Sequence, residues 1–206
     1  SGLQHYLAEG KKSGLSAFAP FTKITGEVGV DTVTFNGEFA SYSVDTSNKI
    51  WTVKEDFTLH TYSVESIERI AFSNKIIAYD IDENAGNTVK LLGLLLGKDQ
   101  ATNKTYVGAG LKLLDDGMTY EQLMGAALDV ILGANASSLS VVELIWNNLI
   151  GPPTPADNIS QYSALIDNGA YTSAGLAIAA ANHDLNATNI DLVGLAQTGV
   201  EYIPYG

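Results

Sequence analysis

Carboxylates at alternate positions are the side chains of this sequence that could bind a metal ion. Residues 80–84 read Asp-Ile-Asp-Glu-Asn, which resembles the opening of an EF-hand calcium loop. The sixth position is Ala85 and the twelfth is Leu91, where an EF-hand needs glycine and glutamate, so an EF-hand is excluded. A helix cap by Asp82 or Asn84 is the better explanation. Asp80 and Asp82 are kept as candidate calcium ligands.

The sequence lacks the motifs of common enzyme classes. It has no cysteine, and His5, His60 and His183 are far apart and outside any His-Glu-x-x-His spacing. It has no Gly-x-Ser-x-Gly elbow, no phosphate-binding glycine loop with a lysine and no dinucleotide fingerprint. His183 stands where a helix should end and is expected to face the carbonyl end of that helix. We expect a protein that is not an enzyme; a hydrolase that uses two facing carboxylates stays open as a further alternative.

Two tryptophans are candidate binding residues. Trp51 and Trp146 could each form part of a platform on which a sugar ring lies. Trp146, however, falls within an apolar helix face, which is also typical of a core residue. A carbohydrate-binding module attached to a secreted enzyme or adhesin is therefore the alternative function.

The elements that would position these residues change in type near residue 85. Between about 28 and 80, short runs of alternating apolar and polar residues predict strands at 30–35, 42–44, 50–53, 63–72 and 75–80. Asn36-Gly37 and the polar segments 45–48, 54–56 and 73–74 are typical of turns between them. This pattern predicts a small antiparallel β region.

From residue 84 onward the pattern becomes helical. Leucine, alanine and methionine recur at helical spacing, and Thr119 and Ser140 each begin a capping-box sequence. The prolines at 152, 153 and 155 end the helix that precedes them. A further helix is predicted at the amino-terminal end, from about Leu3 to Lys12.

The helical part repeats itself at an offset of about 53 residues. Residues 89–92 align with 142–145, Gly97 aligns with Gly151, and 114–119 align with 166–172. Each copy reads as helix, glycine turn, helix, turn at a second glycine, and a third helix that begins at a threonine. This order predicts two three-helix units, although any two amphipathic helical hairpins share part of the pattern.

The net charge of the chain limits the classes of partner that it can bind. Lys+Arg number 11 against 23 Asp+Glu, which gives a net charge of −12 and argues against nucleic acid and anionic membrane surfaces. An acidic surface aids solubility, and it also suits a protein that works in millimolar external calcium. No apolar run reaches the length of a membrane span, so we expect no membrane insertion.

Several segments together resemble a known protein family. Residues 26–33 match the spacing Gly-x-x-Gly-x-Asp-x-Val, and 29–37, 42–44 and 64–74 are similar to the β segment that follows calcium repeats. Residues 84–87 and 142–151 look like a helical domain-of-unknown-function family, and 5–14 like the end of another short helical repeat. The resemblance is to the carboxy-terminal region of bacterial RTX (repeats-in-toxin) surface proteins, which leave the cell by type I secretion.

This resemblance implies a fold, a location and a ligand. Residues 26–33 are similar to one altered copy of the RTX nonapeptide, in which glycine turns let carbonyls and the aspartate bind calcium. Asp31 is then either a calcium ligand or part of a capping rung without an ion. The resemblance also implies secretion, a place at the cell surface and no catalytic residues. Residues 200–205 are either part of an export signal or a packed terminal strand.

The sequence therefore predicts an α+β protein in three parts. Residues 1–25 form a helix and linker, 26–83 a small antiparallel β domain that caps an RTX-like β-roll, and 84–206 a helical domain duplicated at about 84–136 and 137–190. The expected function is that of a non-catalytic structural or interaction module of a surface-layer protein or adhesin. Expected partners are other segments or copies of the surface protein, the type I export machinery and glycans. Calcium is the only expected cofactor.

Overall fold

A computed structural model describes residues 21–155 and 157–206 of the chain. The predicted amino-terminal helix, Leu3 to Lys12, lies outside the described residues. The described part contains both strands and helices, which confirms the α+β class. Contacts divide the chain into two compact units, one running to Ile67 and including Phe72–Asn74, the other containing Glu68–Ala71 and Lys75–Gly206.

The described residues of the first unit contain five short strands. These are β1 (Phe21–Thr25), β2 (Thr32–Thr34), β3 (Tyr42–Asp45), β4 (Trp51–Glu55) and β5 (Thr61–Glu65). One sheet has the order β1-β5-β4-β3, with β3–β4 and β4–β5 pairing as antiparallel neighbours. The predicted positions of β3 and β4 are confirmed. They could be predicted because turn residues stand at the ends of both strands.

Strand β1 corrects two predictions. It lies within residues 1–25, which were assigned to a helix and linker, and it pairs with β5 in parallel, so the β region is not purely antiparallel. All but one residue of β1 are exposed, so the strand has no alternating buried face for a sequence pattern to reveal. Its partner lies about 40 residues away in the chain, beyond the reach of turn signals.

The single strand predicted at 63–72 is two separate strands in the structure. Strand β5 ends at Glu65, and Ser66 has a φ of +53°, a left-handed conformation that interrupts the strand. The chain resumes as β6 (Arg69–Ala71). Sequence alternation continues across Ser66, which is why this break was not predicted.

Aromatic rings fill the core of the first unit. The ring of Phe35 stacks on Phe72 with centroids 5.7 Å apart, and it also contacts Tyr42 and Tyr62 at 5.2 and 4.9 Å. Contacts between aromatic rings at these separations add to the stability that burial supplies. The residues that alternate inward along the predicted strands therefore do form this core.

The strands of the second unit form an antiparallel group. Strand β6 pairs with β7 (Ile76–Ala78), and β7 pairs with β8 (Val200–Tyr202). Residues 200–202 are thus a packed strand, and Val200 is buried in the core. Strand β7 pairs with a strand from the far end of the chain, and both β6 and β7 belong to the second unit. The compact units therefore divide the chain differently from the predicted boundary at residue 83.

Helices make up most of the second unit. They are α1 (Asn84–Leu96), α2 (Lys104–Asp115), α3 (Tyr120–Leu132), α4 (Ser138–Leu149), α5 (Ser160–Asp167), α6 (Ser173–Ala181), α7 (Asp184–Asn189) and α8 (Leu192–Thr198). In α1, 9 of 13 residues are buried, so this helix is apolar on nearly every face and lies at the centre of the unit. Among the described residues, no helix has the length and hydropathy needed to cross a membrane.

The first residues of two helices can be compared with the capping boxes predicted at Thr119 and Ser140. Thr119 forms the predicted capping box with Gln122, so that prediction is confirmed. The prediction at Ser140 is wrong, because α4 begins one turn earlier and Ser137 accepts the hydrogen bond from the Ser140 N–H. Either serine can act as an N-cap, and only the packing of the helix selects between them.

Candidate functional site

The predicted calcium ligand Asp80 lies in a buried ion pair. Its Oδ1 contacts the guanidinium of Arg69, and its Oδ2 accepts a hydrogen bond of 3.1 Å from the backbone N–H of Ala85. Asp80 therefore satisfies the first turn of α1, and the predicted cap by Asp82 or Asn84 is wrong. Asp82 is exposed, and Asn84 donates a 2.7 Å hydrogen bond to Asp115 instead.

Arg69 is the single arginine of the chain, and only 1% of its side chain is exposed. Its second terminal nitrogen lies 3.5 Å from Asp115 Oδ1, while its Nε has no hydrogen-bond partner among the described residues. Burial raises the pKa of the Asp80 carboxyl, and Arg69 and the Ala85 N–H act in the opposite direction. Burial likewise raises the pKa of the nearby Tyr202 phenol. This group of side chains is a structural ion-pair network.

The predicted ligand Asp31 closes a turn in the first unit. Its Oδ2 accepts a hydrogen bond of 2.7 Å from the Glu27 N–H, and Gly29 between them has a φ of +121°, which favours glycine. Within residues 21–155 and 157–206, no three acidic or histidine side chains lie close enough together to hold a metal ion. The structure therefore does not bring Asp31, Asp80 and Asp82 together as one site.

The two predicted binding tryptophans belong to different units. Trp51 begins β4 in the first unit, is partly buried and pairs with Val64. Trp146 lies on α4 in the second unit and is partly buried as well, so its position in a helix face was predicted correctly. Trp146 lines a cavity of the second unit.

This cavity, here called the aromatic cleft, lies between α4, α5, α6 and α7 and has a volume of about 300 Å³. Three ring side chains, Trp146, Tyr162 and His183, line it together with aliphatic residues such as Ile145 and Leu176. The rings of Trp146 and Tyr162 have centroids 5.6 Å apart and are tilted by 48°. The volume is at the lower end of the range for small-molecule sites.

His183 has a defined proton position in this cleft. It caps α7, because its Nδ1 accepts a 3.1 Å hydrogen bond from the Leu185 N–H. In the neutral ring this hydrogen bond places the proton on Nε2, which is then an N–H donor. The prediction that His183 faces the end of the preceding helix is wrong, because its side chain bonds to the helix that follows.

A second cavity of about 400 Å³, here called the aliphatic cleft, lies between α1, α2 and α3. It is lined by residues such as Leu92, Leu95 and Ala126, and Val130 at its rim is 86% exposed. Tyr106 also lines the aliphatic cleft, but among the described lining residues there is no second ring beside it.

Sequence reasoning named Trp146 but missed Tyr162 and His183. The three residues come from different helices, and helical periodicity alone does not show which helix faces will meet. At the predicted repeat offset of 53 to 54 residues, Trp146, Tyr162 and His183 align with Leu92, Ala109 and Val130. All three of those counterparts line the aliphatic cleft.

Comparisons with known proteins assign no family to this fold. The chain matches no protein-family model, no curated protein and no solved structure.

Proposed function

We propose that this chain is a non-catalytic structural and interaction module from the carboxy-terminal region of an RTX-type, type-I-secreted bacterial surface protein, such as a surface-layer protein or adhesin. In this proposal the helical part is two copies of one three-helix unit, and the small strands cap an RTX-like β-roll. The observation that carries the proposal is the correspondence between the two halves of the helical part.

Helices and turns of the two halves correspond in order. The triplet α1, α2, α3 is followed by α4, α5, α6, and the first residues of the first and third helices agree at offsets of 53 to 54 residues. Gly97 and Gly151 follow the first helix of each triplet with φ angles of +89° and +126°. Thr119 and Thr172 cap the third helix of each, both by accepting a backbone N–H with the side chain.

The two triplets also pack through equivalent helices. Helix α1 contacts α4, and α3 contacts α6, so first helix meets first and third meets third. Hydrogen bonds cross this internal interface. Asn148 on α4 donates to the carbonyls of Leu94 and Leu95 at 2.8 and 2.9 Å, and Thr172 donates to Glu121 at 3.0 Å. Such packing lets each triplet bury an apolar face that it could not bury alone.

The remaining parts of the proposal concern location, partners and calcium. The acidic composition, with a net charge of −12, suits an extracellular setting where calcium offsets carboxylate repulsion. Partners in this setting are other segments or copies of the surface protein and the type I export machinery. Asp31 and Asp82 are the proposed calcium ligands with exposed or partly exposed side chains.

Deletion from the parent protein tests the function. Removing residues 84–206 is expected to lower the amount of parent protein on intact cells several-fold, as measured by protease accessibility and by fractionation of cells and medium. Retention inside the cell would support a role in export, and release into the medium would support a role in surface assembly. The full-length protein with Lys112→Met, which alters an exposed ion pair, is the matched control. Unchanged surface amounts after the deletion would contradict the proposal.

Calcium is expected to raise the melting temperature. A native-state site filled at ten times its dissociation constant stabilises the fold by about 1.4 kcal/mol, which corresponds to roughly 3–6 °C for a chain of this size. Thermal melting by circular dichroism, with and without millimolar calcium, measures this shift, and magnesium is the control ion. Asp31→Asn and Asp82→Asn should each be compared with the unchanged chain. An identical melting temperature with and without calcium would remove the ion from the proposal.

A further inference from the structure

We infer that the aromatic cleft is a binding site for a neutral sugar ring. The inference uses the duplicated units of the proposed function, because the aliphatic cleft serves as its internal comparison. It goes beyond a packing role, since it assigns a ligand class to named side chains of the second unit.

The two clefts occupy equivalent places in the two triplets. Ile145 and Leu149 of the aromatic cleft stand where Leu91 and Leu95 stand in the aliphatic cleft, at an offset of 54 residues. On the third helices, Leu176 and Ala180 correspond in the same way to Leu123 and Ala127, at an offset of 53. Four lining positions from two helices thus keep aliphatic side chains in both clefts.

At three equivalent positions the aromatic cleft has a ring where the aliphatic cleft has an aliphatic side chain. Tyr106 is the one ring among the described residues that line the aliphatic cleft, and its counterpart at an offset of 53 is Ile159. Leu92, Ala109 and Val130 of the aliphatic cleft are replaced by Trp146, Tyr162 and His183 in the aromatic cleft. The first triplet shows that aliphatic residues meet the packing needs of these positions. Packing at these positions therefore does not require rings. What the rings add is flat faces with polar edges.

The polar edges of these rings are free to bind. Among the described residues, the Trp146 indole N–H, the Tyr162 hydroxyl and the His183 Nε2–H have no side-chain or backbone partner. Tyr162 is 37% exposed and His183 is exposed, so both polar groups are open to solvent. A pyranose ring offers a C–H face for the aromatic rings and hydroxyl oxygens that accept from these donors.

Charge and size narrow the ligand further. None of the described residues that line the aromatic cleft is Asp, Glu, Lys or Arg. The net charge of −12 also disfavours acidic sugars, which carry the same sign. A volume of about 300 Å³ suits one ring at the end of a glycan and not a longer buried segment. A neutral terminal sugar fits all three properties.

Tryptophan fluorescence can test this site directly. In a Trp51→Phe background, Trp146 is the single tryptophan, so a change of its emission reports on the cleft. The probes are the methyl glycosides of glucose, galactose, mannose and N-acetylglucosamine, with methyl glucuronide as the acidic sugar. We expect saturable binding of at least one neutral glycoside, with a dissociation constant on the order of a millimolar. The acidic sugar should bind more weakly than the neutral one.

Single-residue variants test whether the sugar binds in the aromatic cleft. Tyr162→Ala is expected to weaken binding about tenfold or more, and His183→Ser about threefold, since serine keeps the helix cap while removing the Nε2–H donor. The matched control is Val130→Ala, which shortens the counterpart of His183 in the aliphatic cleft and should leave binding within about twofold. Melting by circular dichroism confirms that each variant is folded.

Other outcomes would overturn the inference. These are no binding of any neutral glycoside, unchanged binding after Tyr162→Ala and His183→Ser, and binding of phenol without binding of a sugar. Each outcome is independent of the surface-deletion assay, so loss of the sugar site would leave the proposed module role standing. Failure of the deletion assay with retained sugar binding would instead remove that role and keep the site.

Discussion

Replacing Arg69 with methionine is expected to lower the free energy of unfolding of the chain by about 3–5 kcal/mol. The change leaves Asp80, whose side chain is only 3% exposed, without its cationic partner. A buried carboxylate without a partner keeps its desolvation cost and loses the attraction that offset it. Methionine has similar length and fills the space, so lost packing contributes little.

Urea unfolding followed by circular dichroism measures this effect. The double variant Arg69→Met, Asp80→Asn should recover part of the loss, because it removes the buried charge together with its partner. The matched control is Lys112→Met, which breaks the exposed pair between Lys112 and Asp116 and should cost less than about 0.5 kcal/mol. Equal losses in Arg69→Met and Lys112→Met would show that the buried pair has no special role.

Gly108→Ala is expected to destabilise the second unit by about 2–3 kcal/mol. A Cβ atom at residue 108 on α2 would overlap the carbonyl oxygen of Ile203, which is backbone and cannot rotate away. The terminal segment would have to shift, and the 3.0 Å hydrogen bond from the Ile203 N–H to the Lys104 carbonyl would be lost. The higher helix propensity of alanine relative to glycine offsets only about 1 kcal/mol of this loss.

Gly125→Ala supplies the matched control for this prediction. Gly125 lies within α3, and a Cβ there would meet only the Cβ of Ala174 at 3.9 Å, an ordinary contact. The same substitution is therefore expected to leave stability unchanged or raise it by up to about 1 kcal/mol. The midpoint of urea unfolding should fall for Gly108→Ala and stay the same or rise for Gly125→Ala. A stabilised Gly108→Ala would show that the terminal segment is not held tightly against α2.

The two predictions concern features that the sequence indicated only in part. Arg69 lies on β6 and Asp80 lies two residues beyond the end of β7. Nothing in their separation of 11 residues shows that they meet or that Asp115 lies beside them. Gly108 falls within a helical sequence pattern that gives no sign of a close backbone contact. Its role depends on residue 203, which is brought to α2 by the pairing of β7 with β8.

Several elements of the fold could be predicted from residues that are close together in the sequence. Alternating residues between turn signals placed β3 and β4, and the Thr119 capping box placed the start of α3. These features depend on neighbours within a few residues, so the sequence contains their full cause. Strand β1 depends instead on a parallel partner far along the chain, and for that reason it was assigned to a linker.

The sequence alone determined that this is an acidic α+β chain with short strands before residue 85 and helices after it, with Trp146 on a helix face. Tertiary structure alone decided that Asp80 caps α1 while paired with Arg69, and that Trp146, Tyr162 and His183 share a cleft. The physical reason is the range of the interactions. Propensity and capping act within a turn, whereas ion pairs and clefts form where elements distant in sequence pack together.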